Sequence, residues 1–244
     1  MTVTILITRP EPEASRFADQ ARALLGDTVT ILCAPIMQIA YRGALPDLSG
    51  NEVLIFTSRH GVAGFCRLTD RRDLACYAVG DATAAAAQET GLCAISAGGD
   101  AGALLARIAD DRCTGPFLHL RGAHVAADIA GALRSAGHVA QEVVVYDQIV
   151  MDLNPVARGC LVGAGPVILP LMSPRSARVF FEQARAATAP LLVAAISRKV
   201  AEMVPEGVAR DVRVARTPDA AGVLDVLQGL VRLAKQLEGG KLAQ

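Results

Sequence analysis

Leu54-Ile55-Phe56-Thr57-Ser58-Arg59-His60-Gly61-Val62 is an apolar run that ends in hydroxyl residues and passes at once into helical sequence. Leu169-Pro170-Leu171-Met172-Ser173-Pro174-Arg175-Ser176-Ala177 repeats the arrangement in the second half of the chain. Each is followed by a second unit of the same kind, Tyr77-Ala78-Val79-Gly80-Asp81-Ala82-Thr83-Ala84 after the first and Val193-Ala194-Ala195-Ile196-Ser197-Arg198-Lys199-Val200-Ala201 after the second. Ser58 and Gly80 stand 22 positions apart, and Ser173 and Ser197 stand 24 apart. Short continuous apolar runs joined to helices belong to parallel sheets covered on both faces. Recurrence at matched spacing makes the two halves divergent copies of one unit.

Outward from these stretches the same alternation fills the chain. Strands are expected at Thr2 to Thr8, Thr28 to Ala34, Val53 to Thr57, Ala75 to Val79, Leu92 to Ser96, Phe117 to Leu120, Val167 to Met172, Leu191 to Ile196 and Val212 to Ala215, with helices in most of the gaps. Ala14, Phe17, Ala18, Ala21, Leu24 and Leu25 form one helix face after the first strand. Val223, Leu227, Leu230, Ala234 and Leu237 form another near the end, with Thr217-Pro218-Asp219 as the entry signal. Ile36 to Tyr41 and Gln141 to Val150 are extended without leading directly into a strand-helix unit. They are expected to pair as a two-stranded ladder. The fold expected is therefore α/β: two similar lobes, each a parallel sheet flanked by helices, one continuous over 37–147 and one split into 1–36 plus 148–244.

Composition excludes several classes of function. Lys and Arg number 24, Asp and Glu number 24, so no global basic field exists to hold a nucleic acid or an anionic membrane. Any anion must be met locally. The longest apolar stretches are far shorter than the roughly 18 residues of a membrane span. Met1 to Arg9 lacks a basic leader and a small-residue cleavage site, and reads as a first strand rather than a secretory signal. The six cysteines are scattered without C-x-x-C spacing, as reduced thiols of a cytoplasmic protein would be, and no metal site is expected. Nucleotide and hydrolase fingerprints are missing after every expected strand.

Each strand-to-helix turn of the repeat places backbone N–H groups at a strand's carboxyl end, where ligands of open α/β sheets and anions in particular are held. Ser58, Gly80, Ser173 and Ser197 occupy these turns. Arg9 and Arg121 end strands and could clamp a carboxylate as a bidentate fork. Arg198 and Lys199 stand at a helix start against the dipole, an arrangement suited to a bound anion.

Thr8-Arg9-Pro10, Phe56-Thr57-Ser58 with Val62, Val79-Gly80 with Thr83-Ala84, Leu120-Arg121-Gly122, the passage from Gly137 to Val145-Tyr146, and Thr217-Pro218 occur in an order and spacing that resemble the uroporphyrinogen-III synthase family over essentially the whole length. The resemblance implies a monomer of two lobes with its site in the cleft between them and no metal or organic cofactor. It implies cyclisation of hydroxymethylbilane to uroporphyrinogen III, with loss of water and inversion of the last pyrrole ring. On this footing Tyr146 is the residue that assists departure of the hydroxyl, and Ser58, Thr83 and Gly122 join the substrate-binding set. The second copy departs from the family pattern at Pro170-Leu171-Met172 and at Ser197-Arg198-Lys199-Val200. A binding or regulatory module of the same fold without catalytic activity is the alternative.

Overall fold

The computed structural model describes residues 3–241. In chain order the first half contains β1 (Thr4–Ile7), α1 (Glu13–Leu25), β2 (Thr30–Cys33), β3 (Met37–Tyr41), β4 (Val53–Phe56), α2 (Arg59–Leu68), β5 (Ala75–Ala78), α3 (Asp81–Glu89), β6 (Cys93–Ser96) and α4 (Ala101–Asp110). The second contains β7 (Phe117–Gly122), α5 (Ile129–Ser135), β8 (Ala140–Val150), α6 (Pro155–Val162), β9 (Val167–Leu171), α7 (Pro174–Gln183), β10 (Leu191–Ala195), α8 (Arg198–Ala201), β11 (Ala209–Val214) and α9 (Ala220–Lys241). The chain divides into two compact units, Met1–Gln38 with Ile149–Gln244, and Ile39–Gln148.

The first unit is built on a five-stranded sheet of order β11-β10-β9-β1-β2, with its neighbouring strands parallel. Apolar clusters cover both faces. One gathers Leu6, Ile36, Leu169, Val193, Phe180 and Val200, and the other gathers Ile5, Ile7, Phe17, Leu192, Leu227 and Leu230. This is why β9 and β10 read as unbroken apolar runs: every residue of both strands is buried. Pro170 lies inside β9 and has no N–H to donate. The β1–β9 ladder accordingly stops at the Ile5–Ile168 pair, whereas β9 stays paired with β10 as far as Leu171–Ala195. The carboxyl ends of β1 and β9 are thereby released from each other.

The second unit carries a sheet of order β3-β8-β7-β4-β5-β6. Leu54, Phe56, Phe65, Leu118, Leu120 and Val145 pack on one face, and Ile55, Tyr77, Leu104, Phe117 and Leu133 on the other. Gly61 and Gly64 bring α2 down onto the sheet. A Cβ on Gly61 would meet the Leu120 carbonyl oxygen at 2.6 Å, and one on Gly64 would meet Val145 Cγ2 at 2.7 Å.

The two extended segments singled out in the sequence do pair, as neighbours β3 and β8. The Arg42 N–H donates to the Val145 carbonyl at 3.0 Å and the Met151 N–H to the Ile36 carbonyl at 2.8 Å, an antiparallel register. β8 does more than the ladder required of it. Its residues Ala140 to Tyr146 also pair in parallel with β7, so a segment read as a connector is a full sheet strand. β11 begins at Ala209, three residues before its expected start, because Arg210 and Asp211 are polar residues on an edge strand and hide it from an apolar-run reading. Asp219 caps α9 as its entry signal implied, accepting from the Gly222 N–H at 2.7 Å. Among the described residues no helix is long and apolar enough to cross a membrane. The six cysteines are unpaired.

One buried polar side chain breaks the apolar rule. His119, in β7 between Ile55 and Glu142, is 1% exposed, and neither ring nitrogen has a hydrogen-bond partner among the described residues. Burial pushes its pKa from 6.5 down to about 4, with Glu142 opposing. The unfolded chain therefore binds more protons than the folded one between those values, and stability falls as pH drops through the window. The fall amounts to about 1.4 kcal/mol per pH unit. Urea midpoints measured at pH 6.5, 5.5 and 5.0 should decline in the native protein and stay nearly level in His119→Leu; parallel declines in the two proteins would refute the assignment.

Candidate functional site at the strand carboxyl edges

In each sheet the chain leaves in opposite directions from two adjacent strands. β1 leads to β2 on one side while β9 leads to β10 and β11 on the other; β4 leads to β5 and β6 while β7 leads to β8. Such switch points open a crevice at the carboxyl ends of the strands involved. The site residues expected from the sequence stand at these two edges, on the turns beside them or in the first turn of the helix that follows, with Tyr146 on β8 opposite the last residue of β7.

In the second unit the edge gathers Ser58, Gly80, Thr83, Arg121, Gly122 and Tyr146. Ser58 follows β4 and caps α2, its Oγ accepting from the His60 N–H at 3.1 Å. Gly80 follows β5 as the N-cap of α3, and Thr83 is buried three residues further on, its N–H bonded to the Gly80 carbonyl at 3.0 Å. Gly122 and Tyr146 are register partners on β7 and β8. A Cβ on Gly122 would stand 2.7 Å from Tyr146 Cζ, so glycine is what lets the phenol ring lie on the β7 backbone. The Tyr146 hydroxyl makes no hydrogen bond to another described residue.

Two further residues belong to this group. The His60 ring lies on the Tyr146 ring, centroids 5.5 Å apart and tilted by 56°. No signal in the sequence ties His60 to Tyr146, since the contact depends on how α2 seats on Gly61. Glu142 is the second. Its carboxylate accepts from Arg121 Nη2, and the Arg121 hydrogen bond holds the Glu142 pKa below the usual carboxylate range. Arg121 also donates from Nη1 to the Gly122 carbonyl at 2.9 Å and the Ala123 carbonyl at 3.5 Å. Its fork is thus occupied in holding the end of β7.

In the first unit the edge gathers Arg9, Ser173, Ser197, Arg198 and Lys199. Arg9 follows β1 with its guanidinium 5.8 Å from the Phe17 ring centroid. Ser173 caps α7, its Oγ accepting from the Ser176 N–H at 3.1 Å. Ser197 precedes α8 and makes no side-chain cap; α8 is only four residues long, so its dipole is weak, and Arg198 and Lys199 on it are exposed.

The repeat read in the sequence is carried by the backbone. Ser58 has φ −156° and ψ 147°, Ser173 −156° and 151°; Gly80 has −152° and 169°, Ser197 −155° and 166°. Among the described helices, α2, α7 and α8 alone carry basic residues at their first or second position: Arg59 and His60, Arg175, and Arg198 and Lys199. Arginine and lysine cations there oppose the helix dipole at a cost of about 0.3–1 kcal/mol each. All three helices start at the two carboxyl edges.

The family model described as uroporphyrinogen-III synthase HemD matches residues 19–225. The chain belongs to this family. The crystal structure of uroporphyrinogen-III synthetase from Helicobacter pylori 26695 superposes with a TM-score of 0.68 at 17% identity, covering 94% of this chain and 100% of that one. That likeness shows a shared fold. The wild-type uroporphyrinogen III synthase of the extremely thermophilic bacterium Thermus thermophilus is also 17% identical, covering 98% of this chain and 99% of that one, with a TM-score of 0.41. No curated protein matches the chain in sequence. Among the described residues no cluster of three or more His, Cys, Asp or Glu is placed to hold a metal ion.

The glycines of the edge make a steric test. Gly122→Ala should cost about 1–3 kcal/mol, because the new methyl must displace the Tyr146 ring or the strand beneath it. Gly80→Ser should stay within about 0.5 kcal/mol of the native protein, since a Cβ there meets nothing nearer than the Gly99 carbonyl at 3.8 Å and serine suits an N-cap. Equal denaturation midpoints for the two variants would overturn the steric account of Gly122.

Proposed function

We propose that the protein is a uroporphyrinogen-III synthase, a cofactor-free cyclising hydro-lyase that converts hydroxymethylbilane to uroporphyrinogen III. The observation that carries this reading beyond family membership is the set of helix starts at the two carboxyl edges. The first-turn N–H groups that no serine hydroxyl caps, together with the exposed Arg198 and Lys199, form local anion donors on a chain of zero net charge. A bilane with eight carboxylates calls for many such donors and no general field. Main-chain donors at fixed helix ends need little reorganisation when the ligand arrives.

The chemistry asked of the protein is modest. The hydroxymethyl C–O bond breaks, the hydroxyl leaves as water after gaining a proton, and the last pyrrole ring inverts through a spirocyclic intermediate as the macrocycle closes. The roles follow from position. Ser58, Gly80, Thr83 and Gly122, and Arg9, Ser173, Ser197, Arg198 and Lys199, are the carboxylate ligands of this reading, which asks that the bilane be kept curled with its ends close. Tyr146 offers its phenolic O–H to the departing hydroxyl, and the His60 ring fixes the plane of the phenol. Arg121 acts by keeping Gly122 and the β7 carboxyl end in place. The reading includes a monomeric, cytoplasmic protein whose ligand is the bilane alone, with neither nucleic acid nor membrane as partner.

Purified protein supplied with hydroxymethylbilane should yield the type III isomer, and Tyr146→Phe should lower turnover roughly tenfold to hundredfold with no change in thermal midpoint. Formation of the type I isomer alone, as arises without an enzyme, would instead identify a binding or regulatory module that retains the fold. The four-residue α8, whose dipole is weaker than that of α3, is the feature that favours that second outcome.

A further inference from the structure

Ser173 and Ser197 mark the carboxyl ends of β9 and β10. A five-residue strand spans about 16 Å, so the amino ends of the same strands meet different surroundings. At the amino ends of β10 and β11 lies a cavity of about 720 Å³, a volume suited to an organic ligand. Phe181 and Met203 give it apolar walls, and Arg178, Arg185 and Arg210 line it together with Glu182.

The gathering of three exposed guanidinium groups around one cavity with a single carboxylate is the feature to explain. None of Arg178, Arg185 and Arg210 makes an ion pair or hydrogen bond among the described residues, and Glu182 pairs with none of them although it stands four positions after Arg178. Helix-dipole compensation explains Arg185, just beyond the end of α7, but neither Arg178 within the helix nor Arg210 on a strand. Three cations and one carboxylate around an apolar wall leave a local positive excess on a chain whose charges otherwise balance. Guanidinium forks match carboxylates bidentately, and the apolar wall suits the face of a ring.

We propose that this cavity is a second ligand site, for an organic anion with a flat ring body and two or more carboxylates, separate from the carboxyl-edge residues. Benzene-1,3,5-tricarboxylate is a suitable probe, titrated calorimetrically into the full chain at low salt beside benzoate and inorganic phosphate. The tricarboxylate should bind at least about tenfold more tightly than either control, a difference of about 1.4 kcal/mol. Arg178→Gln, Arg185→Gln and Arg210→Gln should each weaken it at least about threefold, with unchanged thermal midpoints and unchanged isomer formation. Affinities of the three anions within a factor of about three, or arginine variants that bind the tricarboxylate like the native protein, would overturn the proposal. The readout is binding at the amino ends, so its failure leaves the proposed synthase activity standing, and loss of that activity leaves this site standing.

Discussion

Burial of both faces of each parallel sheet is the constraint on which the rest depends. A strand covered above and below has no face left for water, so its side chains must be apolar, and β4, β9 and β10 are buried at every position. Polar work is pushed to the strand ends, where helices begin and backbone N–H groups lack partners within their own helix. The candidate site residues therefore gather at strand ends, on the turns after them and in the first turns of the helices that follow, with Tyr146 on β8 beside the end of β7. β7 is the exception that measures the rule, for His119 stands inside it without a hydrogen-bond partner among the described residues and is held neutral by burial.

Charge is organised by the same geometry. A chain with balanced charges can still recognise a polyanion if its cations are set where the backbone already favours negative charge. Arg59, Arg175, Arg198 and Lys199 occupy helix starts that would be more stable with carboxylates. α1 and α3 show the ordinary alternative, with Glu13 and Asp81 in their first turns. Cations at the dipole's positive end are a local cost that a bound carboxylate reverses, and the cost is met at the edges where the switch points fall.

Much of this was legible in the residues. Apolar runs ending in Ser or Gly marked β4, β5, β9 and β10 and their caps, because burial on two faces and the need for an N-cap both act over a few neighbouring residues. The pairing of the two extended segments was legible for the same reason, as β-branched runs with no helix to follow. The features that escaped the sequence depend on contacts distant along the chain. The seat of His60 on Tyr146 needs Gly61 to admit α2 against the Leu120 carbonyl. The capture of Arg121 by Glu142 needs β8 to lie beside β7, which an isolated reading of 141–150 as a connector did not contain. The early start of β11 was hidden because an edge strand needs no apolar run.

The two copies have kept one half of their shared plan and altered the other. Ser58 and Ser173 hold nearly the same backbone angles and both cap long helices through their hydroxyls, so the first turn of each copy remains a place where an anion can be held. The second turns agree in backbone angles but differ in the helices they open: Gly80 begins a nine-residue helix, Ser197 a four-residue one. A helix of a single turn sums few peptide dipoles, and the side chains of Arg198 and Lys199 restore the positive charge that its backbone does not supply. Mobile side-chain cations anchor a carboxylate without fixing its orientation closely, whereas N–H groups of a long helix fix both. The two copies thus differ at their second turns: the unit containing Tyr146 has a longer helix there, and the split unit has two exposed cations on a single turn.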